Sequence, residues 1–137
     1  PTSAEQIKIK IGSAFPLEEE LTMEVKGHDH IAGMPRTVTI TSEEIREALN
    51  EPITAIIDTI KDTLSRTAPE LSADIYDKGI IMTGGGSLLR GLDAKIRQVT
   101  GLSVNVIDDS LICVCKGTAR ILEDLEKYRP VLIASSN

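Results

Sequence analysis

The chain has 137 residues, a formal net charge of −6, 41% hydrophobic residues and 26% charged residues. That composition is typical of a folded domain with a core and not of a disordered chain. The negative charge and the 2% aromatic content argue against nucleic-acid binding, which needs a basic face and rings for stacking. The chain opens on Pro1 without a methionine, and we expect it to be a piece of a longer protein.

The first part of the chain predicts a short helix followed by a β-hairpin. Residues 4–11 form the helix, which Gly12 ends. Residues 21–26 and 36–40 alternate apolar with polar side chains, the period of half-buried strands. The connection between them, residues 27–35, is rich in turn-forming residues and predicts a long loop.

The middle of the chain predicts a long amphipathic helix and a short one. Thr41 and Glu44 have the spacing of a capping box. Apolar residues then recur at helical spacing: Ile45, Leu49, Ile53, Ile56, Ile57, Ile60 and Leu64. Pro52 lies inside this pattern, so we expect a kink or a break near Asn50. A further short helix spans residues 67–76.

The remaining elements alternate between strand and helix, which is typical of a layered α/β domain. Residues 80–83 form a continuous apolar strand of the kind that is covered on both faces. The next helix ends at Gly101, and residues 103–107 form another strand. Ser110 caps a final helix, which Pro130 stops.

Three consecutive glycines, Gly84 to Gly86, follow the first of these strands and precede a helix. A glycine turn at the carboxyl end of a strand lets a phosphate, a ribose or a flat base approach the backbone closely. The segment matches neither a Walker A loop nor a dinucleotide fingerprint. A tight structural turn is the alternative, and spacing alone favours it.

Glu5 and Lys8 form a second candidate, because their three-residue spacing on a helix lets both face one ligand. The carboxylate would accept from a hydroxyl or an amine, while the ammonium would donate. The alternative is a surface ion pair worth a few tenths of a kcal/mol, and the residues alone favour that alternative.

No metal site or catalytic set is predicted. His28, Asp29 and His30 occupy a turn-rich segment, and no matching ligand pair occurs elsewhere in the sequence. Cys113 and Cys115 are interpreted as reduced, small core-facing residues and not as ligands or nucleophiles.

Four segments along nearly the whole chain together resemble one known family, the bacterial actin-like cell-shape proteins MreB, Mbl and MreBH. They are residues 4–12 (Ala-Glu-Gln-Ile-Lys-Ile-Lys-Ile-Gly), 33–38 (Gly-Met-Pro-Arg-Thr-Val), 69–75 (Pro-Glu-Leu-Ser-Ala-Asp-Ile) and 79–91 (Gly-Ile-Ile-Met-Thr-Gly-Gly-Gly-Ser-Leu-Leu-Arg-Gly). The resemblance weakens after Ser110, where the family usually carries proline and small residues.

The resemblance implies an α/β fold: an incomplete domain II of an actin-like (ribonuclease-H-like) ATPase, with part of a small α+β capping subdomain. The chain would be the C-terminal portion of the whole protein. Residues 1–41 would form the C-terminal part of the capping subdomain, and residues 42–109 the main nucleotide-binding subdomain. Residues 110–137 would form a C-terminal helix that packs towards the missing domain I. We expect the apolar face of that helix to be partly exposed or covered by another copy, and residues 131–137 to fray.

The resemblance also implies one site for ATP. Glu5, Gln6, Ile7 and Lys8 would lie against ribose and adenine. The other side of the nucleoside would be lined by Gly84, Gly85, Gly86, Ser87 and Leu88. In the family the catalytic carboxylate and most of the grip on phosphate and magnesium come from the missing half. We therefore expect no catalytic residue here, and no ATPase activity or tight ATP binding from this chain alone.

The implied function is that of an ATP-binding, filament-forming protein that maintains rod shape by organising cell-wall synthesis. Its partners would be copies of itself, other elongation and wall-synthesis proteins, and the inner face of the cytoplasmic membrane through the missing domain; nucleic acid is not among them. The alternatives are a protein-interaction module without nucleotide, or another actin-fold ATPase of the sugar-kinase or chaperone type. The Ala-Glu-x-x-Lys helix together with Gly-Gly-Gly-Ser-Leu-Leu argues against the last two.

Overall fold

The computed structural model describes residues 2–31 and 33–132. In chain order the elements are α1 (Thr2–Ile11), β1 (Thr22–Asp29), β2 (Met34–Thr41), α2 (Ser42–Ser65), α3 (Pro69–Lys78), β3 (Ile80–Met82), a 3-10 helix (Gly85–Leu88), α4 (Leu92–Thr100), β4 (Val104–Val106), α5 (Cys113–Glu123), α6 (Leu125–Tyr128) and a final 3-10 turn (Arg129–Val131). None of the helices described combines the length and the apolar character that a bilayer crossing requires. The fraying predicted for the tail falls largely on residues 133–137, which lie outside the described residues.

The predicted hairpin is present, but its strands are longer than the alternation indicated. β1 and β2 pair antiparallel from Thr22 opposite Thr41 to Asp29 opposite Met34. The long loop predicted for residues 27–35 is therefore wrong. The hydrogen-bonded pairing of β1 and β2 continues past Pro35, although proline has no N–H group to donate. Both strands of a two-stranded sheet are edge strands, and proline is tolerated there because no neighbouring strand is left without a donor.

The capping box at the start of α2 is confirmed. The Thr41 side chain accepts from the Glu44 backbone N–H at 3.2 Å, and the Glu44 carboxylate accepts from the Thr41 N–H at 2.8 Å. The helix continues through Pro52, so the predicted break into two helices is wrong. Ile53 and Ile57, each 5% exposed, anchor the second half in the core. Burying two such side chains contributes about 3–6 kcal/mol, which offsets the roughly 3 kcal/mol cost of an internal proline.

The strand–helix–strand prediction for the second half is confirmed. β3 and β4 pair in parallel, from Ile80 opposite Val104 to Met82 opposite Val106, and α4 connects them. The core beneath them combines residues from the loop after α1, from α2, from α4 and from β4. It consists of Ala14, Ile53, Ile57, Leu92, Ile96 and Val104.

Only one face of β3 is covered by the described part of the chain. Ile81, which points away from the core, is 67% exposed. The prediction of a strand covered on both faces is therefore wrong for this chain. The apolar run reflects a strand that has a half-buried face, with Ile80 and Met82, on one side and an apolar but open face on the other.

The final helix begins later than predicted and is interrupted. Ser110 does not cap it: Asp109 has a φ of 56°, the Ile112 N–H bonds to the Asp109 carbonyl at 2.8 Å, and α5 starts only at Cys113. The helical path breaks at Asp124, whose side chain accepts from the Lys127 N–H at 3.2 Å. An aspartate that caps a following turn in this way favours a new helix over continuation of the old one.

Most of α5 faces solvent. This agrees with the expectation that the apolar face of the final helix is partly exposed. The exposed apolar side chains here are Leu111, Ile112, Val114, Leu122 and Leu125. Cys113 is half-buried and Cys115 is exposed. The prediction that both cysteines face the core is therefore wrong, because no residue of α5 is buried.

Candidate functional site

The glycine turn lies at the carboxyl end of β3, where the sequence predicted it. Gly84 has φ 80° and ψ 172°, a conformation that strongly favours glycine. Its N–H donates to the Ser110 carbonyl at 2.8 Å, and its carbonyl accepts from the Ser87 hydroxyl at 2.7 Å. Ser87 is only 5% exposed. The turn is therefore held on both sides by bonds within the chain.

The other two glycines are not required by the backbone. Neither Gly85 nor Gly86 has a positive φ. A Cβ atom built on Gly86 meets nothing within 4 Å, and one on Gly85 meets only the Cδ2 atom of Leu111, at 3.3 Å. The structural-turn alternative thus explains Gly84 alone. At position 86 the missing side chain leaves the backbone open to an approaching molecule, whereas at position 85 the Leu111 side chain lies close to the backbone.

On α1, the predicted site residues face outward. Glu5, Gln6 and Lys8 are exposed, and Ile7 is half-buried. Within the described part of the chain, neither Glu5 nor Lys8 has a salt-bridge partner. The surface ion pair that was the alternative reading of these two residues is therefore not formed, and both charges are free to meet a ligand.

Arg90 joins α1 to the segment that follows the glycine turn. Its backbone forms a parallel bridge with Ser13, and its carbonyl accepts from the Ala14 N–H at 2.7 Å. Its guanidinium reaches back to the end of α1, where Nη1 donates to the carbonyls of Ile9 at 3.1 Å and Lys10 at 2.8 Å. The two elements that the sequence singled out separately are connected through this residue.

The chain between α1 and the hairpin is packed backbone to backbone at this junction. Residues 11–14 are all buried, although they belong to no main sheet. A Cβ atom on Gly12 would lie 2.3 Å from the Lys8 carbonyl oxygen, and one on Gly91 would lie 2.6 Å from the Cβ atom of Phe15. The Gly12 contact is with the last turn of α1 itself, whereas the Gly91 contact leaves no room for a side chain between the start of α4 and the chain that leaves α1.

A polar network braces the same junction against α2. Arg46 Nη2 bonds to both carboxylate oxygens of Glu20, at 2.5 and 2.7 Å, and Arg46 Nε donates to the Ser13 hydroxyl at 3.3 Å. The Ser42 hydroxyl donates to Glu20 and accepts from the Leu21 N–H at 2.8 Å. The Ser42 hydroxyl, and then the Arg46 guanidinium, hold the pKa of Glu20 below its ordinary value despite partial desolvation.

A groove opens beside the glycine turn, at the carboxyl ends of β3 and β4. Its volume is about 560 Å³, and ligands of open α/β sheets commonly bind at this edge. It is lined by Leu88, Val106, Ile107, Asp108, Asp109, Ser110, Leu111 and Ile112. Asp109 is ion-paired with Lys116. The glycine turn therefore borders a concave and largely apolar surface.

The two histidines of the hairpin contact each other. His28 and His30 lie edge to face with ring centroids 5.5 Å apart. Asp29 accepts from the Ile31 N–H at 2.9 Å and pairs with Arg36 at 3.5 Å. Among the residues that the structure describes, no group of three or more His, Cys, Asp or Glu could hold a metal ion.

Sequence reasoning did not find the roles of Arg90, Ser13 and Ser110. Arg90 and the carbonyl of Ile9 are separated by 81 residues, and no local pattern links them. Ser110 carried a signal, but its hydroxyl was interpreted as a helix cap, whereas its carbonyl is the group that holds Gly84. A cation placed just after a glycine turn is the only sequence signal that could have drawn attention to Arg90.

The family model described as "MreB/Mbl protein" matches residues 1–130. The chain belongs to the MreB/Mbl family. It is 43% identical over 125 residues to the cell shape-determining protein Mbl of Bacillus cereus, with 91% of the chain and 38% of that protein covered. To the cell shape-determining protein MreB of Escherichia coli it is 43% identical over 126 residues, with 92% of the chain and 36% of that protein covered. The chain thus spans little more than a third of the length of these MreB/Mbl relatives.

Solved structures confirm the fold expected for this MreB/Mbl chain. The crystal structure of MreB5 of Spiroplasma citri bound to ADP has a TM-score of 0.87 at 35% identity, covering 94% of this chain and 39% of that one. The same protein bound to AMPPNP gives a TM-score of 0.85. The MamK double helical filament gives 0.73 at 25% identity, covering 89% of this chain and 37% of that one. The fold is α/β and actin-like, and family membership sets aside the sugar-kinase and chaperone alternatives.

Proposed function

We propose that the MreB/Mbl protein containing this chain binds ATP, assembles into filaments and maintains cell shape by organising cell-wall synthesis. In this proposal residues 5–8 of α1 face the ribose and adenine of the nucleotide, and residues 84–88 line its other side. The observation that carries the proposal is the uncovered backbone at Gly86, where the turn does not need glycine and the described residues leave the space beside the backbone open. The similarity to MreB5 structures bound to ADP and AMPPNP supports the same ligand class.

The residues present fit the nucleoside part of ATP. Glu5 offers a carboxylate for a ribose hydroxyl or an exocyclic amine, and Lys8 offers a donor. Both are exposed, and neither has a salt-bridge partner among the residues that the structure describes. The glycine backbone admits a flat ring or a sugar without steric conflict. ATP itself supplies the triphosphate whose hydrolysis would relax the polymer.

The triphosphate, magnesium and the catalytic carboxylate would be held mainly by parts of the protein outside this chain. We therefore propose that the isolated chain binds ATP weakly and does not hydrolyse it. The division into residues 1–41, 42–109 and 110–137 belongs to the same proposal. Calorimetry that gives a micromolar affinity of the isolated chain for ATP would contradict it.

The substitution Gly86→Ala in the complete polypeptide tests the nucleotide site. A methyl group at this position would have no atom of the described residues within 4 Å, so the free energy of unfolding should stay equal or rise by about 0.5 kcal/mol. ATP affinity should fall about tenfold or more, because the methyl group occupies the space proposed for the nucleoside. Gly27→Ala is the matched control, since its Cβ also meets nothing within 4 Å but lies in the hairpin. Unchanged ATP affinity in Gly86→Ala would overturn the assignment of the turn.

Filament formation is the second part of the proposal. The similarity to the MamK double helical filament supports it, and copies of the same protein would be the partners within the polymer. Filaments would run beneath the cytoplasmic membrane, reach it through parts outside this chain, and contact wall-synthesis proteins. Sedimentation of the complete polypeptide should show more polymer with ATP than with ADP. Equal amounts with both nucleotides would contradict the coupling.

One observation favours a second candidate, a protein-interaction module that needs no nucleotide. The segment from Leu111 to Leu125 exposes several large apolar side chains, which include Val114 at 72% and Leu122 at 66%, and such a patch is typical of protein contacts. Under this candidate, Gly86→Ala would leave every binding property unchanged. Val114→Ser with Leu122→Ser would then abolish polymer or partner binding, whether or not ATP is present.

A further inference from the structure

We infer that Arg90 is a positioning residue for nucleotide recognition, because it fixes the angle at which α1 presents Glu5 and Lys8 towards the glycine turn. The inference rests on the proposed function. Arg90 would touch no nucleotide itself; it would act through the helix that it holds.

Helix α1 is weakly packed. Of its ten residues only Ile11, at the very end, is buried, and Ile9 is 64% exposed. Ile7 is half-buried and α1 contacts α2 and β1, but the turn that bears Glu5 has no buried side chain. Hydrophobic burial therefore constrains the direction of α1 only weakly, and a polar contact at its end can contribute to setting it.

Arg90 supplies that interaction at the open end of the helix. The last four carbonyls of a helix have no partner within it. The Lys8 carbonyl accepts from the Gly12 N–H at 2.8 Å, and Arg90 Nη1 takes the next two, of Ile9 and Lys10. A cation at this end also interacts favourably with the helix dipole. Bonds to two carbonyls on successive residues restrict the orientation of the helix end more than a bond to one carbonyl would.

The other end of the Arg90 side chain is anchored to the glycine turn. Only Leu89, which packs against the core, separates Arg90 from the 3-10 helix Gly85–Leu88. The Ser13 bridge and the close approach of Gly91 to Phe15 hold the backbone on the far side. Glu5 lies within about 6 Å, measured along the helix axis, of the first carbonyl that Arg90 holds, at 1.5 Å per residue. A rigid backbone thus controls both proposed walls of the site through one side chain.

The experiment compares Arg90→Ala with Arg90→Lys in the complete polypeptide, using ATP and inorganic tripolyphosphate as ligands. Arg90→Ala should weaken ATP binding about tenfold, because a misdirected α1 loses its contacts to ribose and adenine. Tripolyphosphate affinity should not change, since the phosphates are held elsewhere. Arg90→Lys should restore most of the preference for ATP over tripolyphosphate. A single nitrogen, Nη1, makes both bonds to the carbonyls of α1, and the lysine ammonium can replace it.

Arg97→Ala is the matched control. Arg97 Nη2 also donates to a backbone carbonyl, that of Val104 at 3.0 Å, but it holds α4 to β4 and not α1. Arg97→Ala should lower the melting temperature about as much as Arg90→Ala does, without changing the preference for ATP over tripolyphosphate. If Arg90→Ala does not fold, Arg90→Gln replaces it, because it retains a donor but loses the charge and the reach.

The outcomes separate the inference from the proposed function. A wild-type protein that binds ATP no better than tripolyphosphate would overturn the nucleoside site and the inference with it. A wild-type preference for ATP that persists unchanged in Arg90→Ala or Arg90→Gln would leave the site intact and reduce Arg90 to a stabilising residue. Loss of the preference in these variants, with recovery in Arg90→Lys, supports the positioning role.

Discussion

Gly91 and Phe15 approach each other so closely that a Cβ atom at position 91 would lie 2.6 Å from the Cβ atom of Phe15. This contact closes the junction between the chain leaving α1 and the start of α4. Gly91 also has a φ of 72°, which side chains other than glycine rarely adopt. Two independent reasons therefore require glycine at this position.

Gly91→Ala should lower the free energy of unfolding by about 3 kcal/mol, because left-handed strain and overpacking both contribute. Gly101→Ala separates the two effects. Gly101 has a φ of 71°, but no atom of the described residues lies within 4 Å of a Cβ atom built there. Gly101→Ala should therefore lower the free energy of unfolding by about 1 kcal/mol, from backbone strain alone. Urea unfolding of both variants measures the difference, and equal losses would show that Phe15 moves aside without cost.

Pro52→Ala should stabilise the protein by about 2 kcal/mol. Pro52 lies inside α2 and lacks the N–H group that would bond to the carbonyl one turn earlier, a defect that costs about 3 kcal/mol. The greater freedom of the unfolded chain with alanine offsets part of the gain. Thermal unfolding measures the change, with Glu51→Ala on the same exposed stretch as a control that should stay within about 0.5 kcal/mol. A lower melting temperature for Pro52→Ala would mean that the proline shapes the helix in a way the core requires.

The Glu20 network should make stability depend on pH in the acid range. Hydrogen bonding from Ser42, then from Arg46, lowers the pKa of Glu20 below its ordinary value of 4.5. The folded state therefore gains stability from this group above pH 4.5, and it loses that gain as the pH falls through the lowered pKa. Glu20→Gln should melt at a lower temperature than the wild type at pH 7, and the gap should narrow below about pH 4.5. Glu19→Gln, exposed and outside the network, should melt like the wild type at every pH; a constant Glu20→Gln gap down to pH 3 would contradict the ionic origin.

The two thiols should differ in their rate of chemical labelling. Cys115 is exposed, whereas Cys113 is half-buried with its Sγ atom 3.3 Å from the Ser110 carbonyl. Labelling of the 137-residue chain with a thiol reagent should show a fast and a slow phase. Cys115→Ser should remove the fast phase, and Cys113→Ser should remove the slow one. A single phase in the wild type would mean that α5 frays enough to expose both thiols.

The features that depend on residues close to one another along the chain could be predicted from the sequence. The capping box of Thr41 and Glu44, the end of α4 at Gly101 and the pairing of the hairpin all follow from patterns a few residues long. Where local signals conflicted with packing, packing decided the outcome: α2 passes through Pro52 because Ile53 and Ile57 are buried. Ser110 failed as a predicted cap because Asp109 turns the chain first.

In the candidate site, too, the sequence predicts some features and not others. The individual elements, Gly84–Leu88 and the helix bearing Glu5 and Lys8, were predictable as motifs. Their connection through Arg90 was not, because a guanidinium that binds backbone carbonyls needs no particular residue opposite it. Nor does the sequence indicate which glycine the turn requires; that distinction needs φ angles and the space around each Cβ atom.

The bridge between Ser13 and Arg90 also constrains the order in which the chain assembles during synthesis. The guanidinium of Arg90 and the carbonyl of Ile9 are 81 residues apart, and at about 5–20 residues per second the ribosome needs roughly 4–16 s to add such a stretch. During that interval the hairpin and α2 can form and contact α1, whereas the carbonyls of Ile9 and Lys10 still lack the Arg90 guanidinium. The inward face of α2, with Ile53 and Ile57, stays uncovered until α4 and β4 emerge. Nascent chains of this protein therefore pass through a period in which an apolar helix face is available to chaperones.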